Sequence, residues 1–107
     1  MSDYIVVFCT CPDLEISEKI ANRLIENKIA ACVNITSPVN SVYFWQGAIE
    51  RDTEYLLIIK TKTQLFEKLE KEIKSIHPYS VPEIIAMPIV LGSKDYLNWI
   101  DETVNVD

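Results

Sequence analysis

The sequence predicts an α+β fold in which short strands and amphipathic helices surround one core. In some segments apolar residues form the alternating or continuous runs of strands, and in others they follow the 3.6-residue period of helices. In addition, 49% of the 107 residues are hydrophobic and only two are glycine, which is typical of a folded chain. We therefore expect residues 1–107 to form a single domain, because this length suits one core.

The first two elements are a strand and a helix. Residues 4–11 are a near-continuous apolar run, which predicts a central strand covered on at least one face. Pro12 and Asp13 end this run, and apolar residues then recur at helical spacing over residues 16–25. A helix should therefore follow the first strand.

A strand hairpin comes next. Residues 30–35 and 41–46 have strand character on either side of a turn-prone segment, and Gly47 permits a tight reversal. Residues 53–60 predict the returning strand. We expect that strand to be internal, because its consecutive apolar residues face both sides of a sheet.

The last elements complete the fold. An apolar stripe over residues 65–76 predicts a helix, and residues 84–91 predict a strand whose Pro88 places it at a sheet edge. A final amphipathic helix opens at Ser93. The order βαββαβ plus a C-terminal helix is that of the ferredoxin-like arrangement, in which helices cover one face of one antiparallel sheet.

The hairpin around Gly47 is predicted to be longer than its own helices can cover. A helix of about 16 residues spans roughly 24 Å, which a strand covers in about seven residues, and the hairpin arms approach twice that length. An exposed apolar and aromatic surface of this kind usually marks a protein contact. We expect a homo-oligomer to cover these residues: Val42, Tyr43, Phe44, Trp45 and Ile49.

Charge and composition exclude some partners. Ten basic and sixteen acidic residues give a net charge of −6, which disfavours nucleic acid and anionic membranes as partners. Residues 1–4 lack a basic region, and the apolar run at residues 5–9 is too short for a signal sequence or a membrane span. We therefore expect a cytoplasmic protein, whose three cysteines are free thiols.

Cysteine and histidine supply the first candidate site. Cys9 and Cys11 lie on one face of the first strand, and with the imidazole of His77 they form a ligand set suited to copper or another soft metal. Two plainer interpretations remain open: buried cysteines that only fill the core, and a histidine that only closes a helix. We expect His77 at the end of the strand opposite Cys11, roughly 20 Å away, so that only two subunits together could hold the metal.

Polar residues supply the second candidate site. Tyr79 and Glu83 lie in a loop bracketed by prolines, and with Lys60 they are expected to line a cleft between subunits that binds a small ligand. The sequence has no glycine-rich phosphate loop and no complete catalytic set, so we expect no enzymatic activity. A thiolate enzyme is the alternative, and it requires a lowered pKa at Cys9.

Five ordered blocks resemble the CutA divalent-cation-tolerance proteins. The blocks cover nearly the whole chain: residues 30–34, residues 43–47, Glu54 with residues 60–61, residues 77–84 and residues 96–100. The resemblance implies a ferredoxin-like homotrimer, similar in architecture to PII signalling proteins, that binds copper(II) or another divalent cation.

The resemblance also implies which residues bind the metal. By position, the family's ligands fall on Cys9 and His77, whereas Ile76 stands where the family's site has a second histidine. Cys11 is the candidate substitute. The alternative function is a PII-like sensor that binds a small ligand in the cleft between subunits.

Overall fold

A computed structural model describes residues 3–107 and has an antiparallel sheet with the order β2-β4-β1-β5, in which β3 also pairs with β4. The strands are β1 (Tyr4–Cys11), β2 (Cys32–Ile35), β3 (Val39–Trp45), β4 (Ala48–Lys62) and β5 (Ile85–Pro88). The helices are α1 (Leu14–Glu26), α2 (Phe66–Ile76) and α3 (Lys94–Thr103). This is the predicted α+β class, with β1 and β4 internal and β5 at an edge. The element order agrees with βαββαβ plus a helix when β2 and β3 are counted as the two parts of one interrupted strand.

Local sequence sets the ends of these elements. Asp13 caps α1 by accepting the Ile16 N–H at 2.8 Å, and Ser93 caps α3 in the same way. The β3–β4 turn places Gln46 at φ 50° and Gly47 at φ 82°, the left-handed conformations that a two-residue hairpin needs. β5 is shorter than its predicted range of residues 84–91 because the paired run ends at Pro88.

The two sides of the sheet differ in cover. We call the side under α1 and α2 the covered face; its strand residues are buried, and they are Val7, Cys9, Cys11, Leu57 and Ile59. We call the other side the open face; its residues alternate with the first set and are Phe8, Thr10, Leu56, Ile58, Ile85 and Met87. Only α3 contacts this face among the described helices, at its Tyr4 end, where Asp101 accepts the Tyr4 O–H.

The β3–β4 hairpin extends past the helices, as predicted. β4 has 15 residues and α2 has 11, so at about 3.3 Å and 1.5 Å per residue the strand is about three times longer. The molecule measures 44 × 26 × 24 Å. Of the helices within residues 3–107, none has the length and apolar composition that a bilayer crossing requires.

Candidate metal centre and hairpin cleft

β1 places two thiols on the covered face. Its residues alternate between partly and fully buried, so Cys9 and Cys11 point the same way, and both are fully buried. All three cysteines are free, as predicted, and Cys32 lies apart from this pair, on β2. The alternation of one strand therefore gives a pair of neighbouring sulfurs inside the core.

His77 lies beside these thiols, which corrects the predicted topology. β4 is antiparallel to β1 and ends beside Tyr4, so α2 runs back in the direction of β1 and ends beside Cys11. The ligand atoms of Cys9, Cys11 and His77 all lie within 4.8 Å of one another. The expectation of roughly 20 Å between Cys11 and His77 is wrong, because the helix returns to the Cys11 end. One chain therefore brings all three residues together.

Hydrogen bonds fix the imidazole of His77. Nε2 lies 2.8 Å from the Thr10 carbonyl oxygen, and Nδ1 accepts the Tyr79 N–H at 3.2 Å. Because a carbonyl only accepts, these bonds describe a neutral ring with its proton on Nε2. A metal bound at either nitrogen would replace one of these two hydrogen bonds.

The two thiols differ in acidity. A hydrogen bond from Cys9 lowers the pKa of Cys11, against the opposing effect of burial, and contacts with His77 and Ser17 add to the lowering. The same hydrogen bond and burial raise the pKa of Cys9. Burial lowers the pKa of His77, but the Cys11 sulfur and the Thr10 carbonyl outweigh this effect and raise it. Cys11 is therefore the more acidic of the two thiols, and the raised pKa of Cys9 disfavours its use as a free nucleophile.

The donor set fits a soft metal ion. Thiolate and imidazole ligands suit copper and zinc, whereas magnesium, calcium and manganese prefer oxygen. With metal–ligand bonds of about 2.0–2.3 Å, ligands of one ion lie about 3–4.6 Å apart, which the 4.8 Å cluster can satisfy with small side-chain shifts. Cys9, Cys11 and His77 are the residues that would hold the ion.

The loop after α2 connects the covered face to the open face. The Tyr79 ring contacts the His77 ring, with 4.7 Å between centroids. The Tyr79 hydroxyl donates to Glu54 Oε2 at 2.8 Å, and Glu54 is only 5% exposed. Burial and this carboxylate together raise the pKa of Tyr79. Tyr79 therefore contacts the candidate metal centre with its ring and the open face with its hydroxyl.

A cleft of about 590 Å³ is lined by the β3–β4 hairpin and by the loop after α2. We call it the hairpin cleft, and its lining includes Ser41, Tyr43, Trp45, Glu54, Tyr79 and Glu83. Thr10 also lines it, so the backbone between the two thiols forms part of its wall. A volume of this size is in the range of small-molecule sites.

The structure unites two of the three residues predicted for a ligand cleft. Tyr79 and Glu83 both line the hairpin cleft, but Lys60 does not. Lys60 pairs with Val6 in the sheet, and its amine donates to Asn34. It lies six residues along β4 from the cleft residue Glu54, which is about 20 Å. Within residues 3–107, a single chain thus leaves Lys60 outside the cleft.

Sequence reasoning missed Glu54 as a site residue. It occurs in phase with Glu50 and Asp52 on one side and with Leu56 and Ile58 on the other, so it stands where the acidic residues of this face give way to apolar ones. That position at the boundary was the available signal. The five residues predicted for an oligomer interface are all exposed in the single chain, from 39% at Tyr43 to 71% at Phe44.

Comparison with known proteins identifies the family. The profile of the CutA1 divalent ion tolerance protein family matches residues 5–103. The chain belongs to the CutA family. A divalent-cation tolerance protein CutA from Thermus thermophilus is 47% identical over 97 residues, which are 91% of this chain and 94% of that protein. The resemblance found in the sequence is confirmed, and the family's name describes cation tolerance and not an enzymatic reaction.

Related structures support the fold and correct the predicted location. The structure of a periplasmic CutA from Archaeoglobus fulgidus has a TM-score of 0.93 and 46% identity, covering 95% of this chain and 99% of that one. A chloroplastic CutA from Arabidopsis thaliana is 48% identical over 90% of this chain and 53% of its own length. CutA proteins therefore occur outside the cytoplasm, so the cytoplasmic prediction is wrong. Met1 and Ser2, on which that prediction partly relied, lie outside the described residues.

Proposed function

We propose that this CutA protein acts in divalent-cation tolerance as a homotrimer whose chains each bind copper, or another soft ion, at Cys9, Cys11 and His77. The proximity of the three ligand atoms, within 4.8 Å, carries the metal proposal. Two sulfurs and an imidazole in the interior favour a soft ion, because such ligands bind copper and zinc well.

Cys11 gives this chain a third donor. Ile76 occupies the position of the second histidine that the resemblance implies, so Cys9 and His77 alone would be a weak site. Cys11 lies beside both ligands, and the Cys9 hydrogen bond and His77 lower the pKa of its thiol, which favours the thiolate form that binds a soft metal. A thiolate therefore replaces the missing imidazole.

The homotrimer proposal rests on the uncovered surface. The hairpin residues Val42, Phe44 and Ile49 are 55–71% exposed, and Ile85 and Met87 on the open face are more than half exposed. Exposed apolar surface on both faces of the sheet, at the hairpin and on the open face, usually marks a protein contact. Copies of the same chain are the simplest partner, and three copies agree with the architecture that the family resemblance implies.

Copper titration under reducing conditions tests the metal centre. A chromophoric Cu(I) chelator competes with the native protein and with the Cys9→Ser, Cys11→Ser and His77→Gln variants, and zinc is titrated in parallel. We expect each substitution to weaken copper binding by at least about tenfold, because each removes one of three donors.

The third cysteine provides a matched control. Cys32→Ser makes the same chemical change outside the cluster and should leave copper affinity unchanged. Thermal melts check that each variant folds. Equal copper affinity in the native protein and all four variants would remove the proposed site.

A second function is favoured by the hairpin cleft. A PII-like sensor would bind a small ligand in a cleft that neighbouring subunits complete, and Tyr79 and Glu83 line an opening of about 590 Å³. Because Thr10 and Tyr79 contact both the cleft and His77, a ligand there would lie next to the metal centre.

A further inference from the structure

The charge of the hairpin cleft indicates which ligands it can accept. Among its described lining residues are the carboxylates of Glu54 and Glu83 and no lysine or arginine. Lys60, the cation expected there, is bonded to Asn34 instead. On the side of the cleft that this chain supplies, an anionic ligand would therefore meet two negative charges without a compensating positive charge.

Glu54 is the most deeply buried of these acidic groups. It is 5% exposed, and one of its oxygens accepts the Tyr79 O–H. Among the ion pairs of residues 3–107, none includes Glu54. A buried carboxylate without a cationic partner is unfavourable. A positively charged group in the cleft would relieve this cost.

Aromatic rings line the same cleft. Tyr43 and Trp45 lie on the hairpin side, and Tyr79 lies on the loop side. The faces of such rings attract cations. The Tyr43 and Tyr79 hydroxyls already donate to Asp52 and Glu54, so neither hydrogen is available for an anion. The walls of the cleft therefore favour positive charge joined to apolar surface.

We propose that the hairpin cleft binds a small organic cation, an ammonium or guanidinium compound with an apolar portion. Glu54 and Glu83 pair with the charged group, and the rings of Tyr43, Trp45 and Tyr79 contact the apolar portion. The inference rests on the second proposed function, that the cleft binds a small ligand, and specifies the charge of that ligand. It is independent of the metal centre.

Three probes of similar shape and different charge test the proposal: 2-phenylethylammonium, 2-phenylethanol and 3-phenylpropionate. Each is titrated into the assembled native protein by calorimetry, with resonance shifts of the Trp45 indole as a second readout. We expect the ammonium probe to bind at least about tenfold more tightly than the alcohol, and the carboxylate to bind least.

Paired glutamate variants locate the effect. Glu83→Gln and Glu54→Gln each remove one negative charge from the cleft, whereas Glu67→Gln removes one from the exposed side of α2. We expect only the first two to weaken ammonium binding, by about tenfold, and to leave alcohol binding unchanged. Glu83 is exposed, so its substitution should not disturb folding.

The outcomes separate the two proposals. Equal binding of ammonium and alcohol, or equal loss in the Glu83 and Glu67 variants, would overturn the charge inference and leave a ligand cleft in place. Tighter binding of the carboxylate would overturn it as well. If no probe binds, both the charge inference and the ligand-cleft function fail.

Discussion

The covered and open faces of the sheet are built from the same strands but end in different environments. On β4, Leu57 and Ile59 are fully buried under α1 and α2, whereas Leu56 and Ile58 are only partly buried. On β5, Ile85 on the open face remains 55% exposed. One face is therefore completed within the chain, and the other needs a further cover.

This difference assigns different chemistry to the two faces. The covered face excludes water, so its two thiols and one imidazole can hold a small soft ion. The open face at the hairpin leaves space of about 590 Å³ for a larger ligand. The two sites share the β1 backbone, because Cys9 and Cys11 point one way and Thr10 the other.

The largest expected effect comes from placing a charged residue on the exposed apolar surface of the hairpin. In the Phe44→Asp variant, assembly would bury an unpaired carboxylate at the hairpin, so we expect loss of the oligomer. Sedimentation should give about three times the 12.3 kDa chain mass for the native protein and one chain mass for the variant.

A similar change on the helix layer serves as the control. Leu14→Asp introduces the same charge at the first residue of α1, where the helix dipole favours an acidic group, and should leave the oligomer intact. A native protein that sediments as one chain at micromolar concentration would contradict the homotrimer proposal and leave the open face without the cover proposed for it.

Two neighbouring leucines measure the difference between the faces directly. Leu57→Ala should lower the free energy of unfolding by about 2–5 kcal/mol, because it leaves a cavity under the helices. In the dissociated Phe44→Asp background, Leu56→Ala should cost at most about half as much, since its side chain lies on the uncovered side. Denaturant unfolding of both variants provides the comparison, and equal losses would show that both faces are covered within one chain.

The fold was largely predictable from local patterns. The apolar run at residues 4–11 correctly predicted both ends of β1, and Gly47 correctly predicted the hairpin turn. Pro88 predicted the position of β5 at the edge, because proline has no backbone N–H to donate to a neighbouring strand. These features depend on a few adjacent residues, so they can be predicted from a single sequence.

The sites were less predictable because they depend on the direction of distant elements. The position of His77 depends on two changes of chain direction: β4 runs antiparallel to β1, and α2 runs antiparallel to β4. An error in either direction places the imidazole ring at the wrong end of the sheet. Glu54 was missed for a related reason. Its importance comes from the loop that places Tyr79 over it, which no local pattern indicates.

The smallest expected effect concerns Tyr79, which contacts His77 with its ring and Glu54 with its hydroxyl. Tyr79→Phe keeps the ring against His77 but removes the hydroxyl that donates to buried Glu54, so the free energy of unfolding should fall by about 1–3 kcal/mol. Tyr43→Phe removes the hydroxyl that donates to exposed Asp52, where water replaces the lost bond, and should change the melting temperature much less. Copper affinity should be nearly unchanged in both variants, because neither hydroxyl is a metal ligand. A large loss of copper affinity in Tyr79→Phe alone would instead mean that the bond to Glu54 holds His77 in place, and that the covered and open faces act as one site.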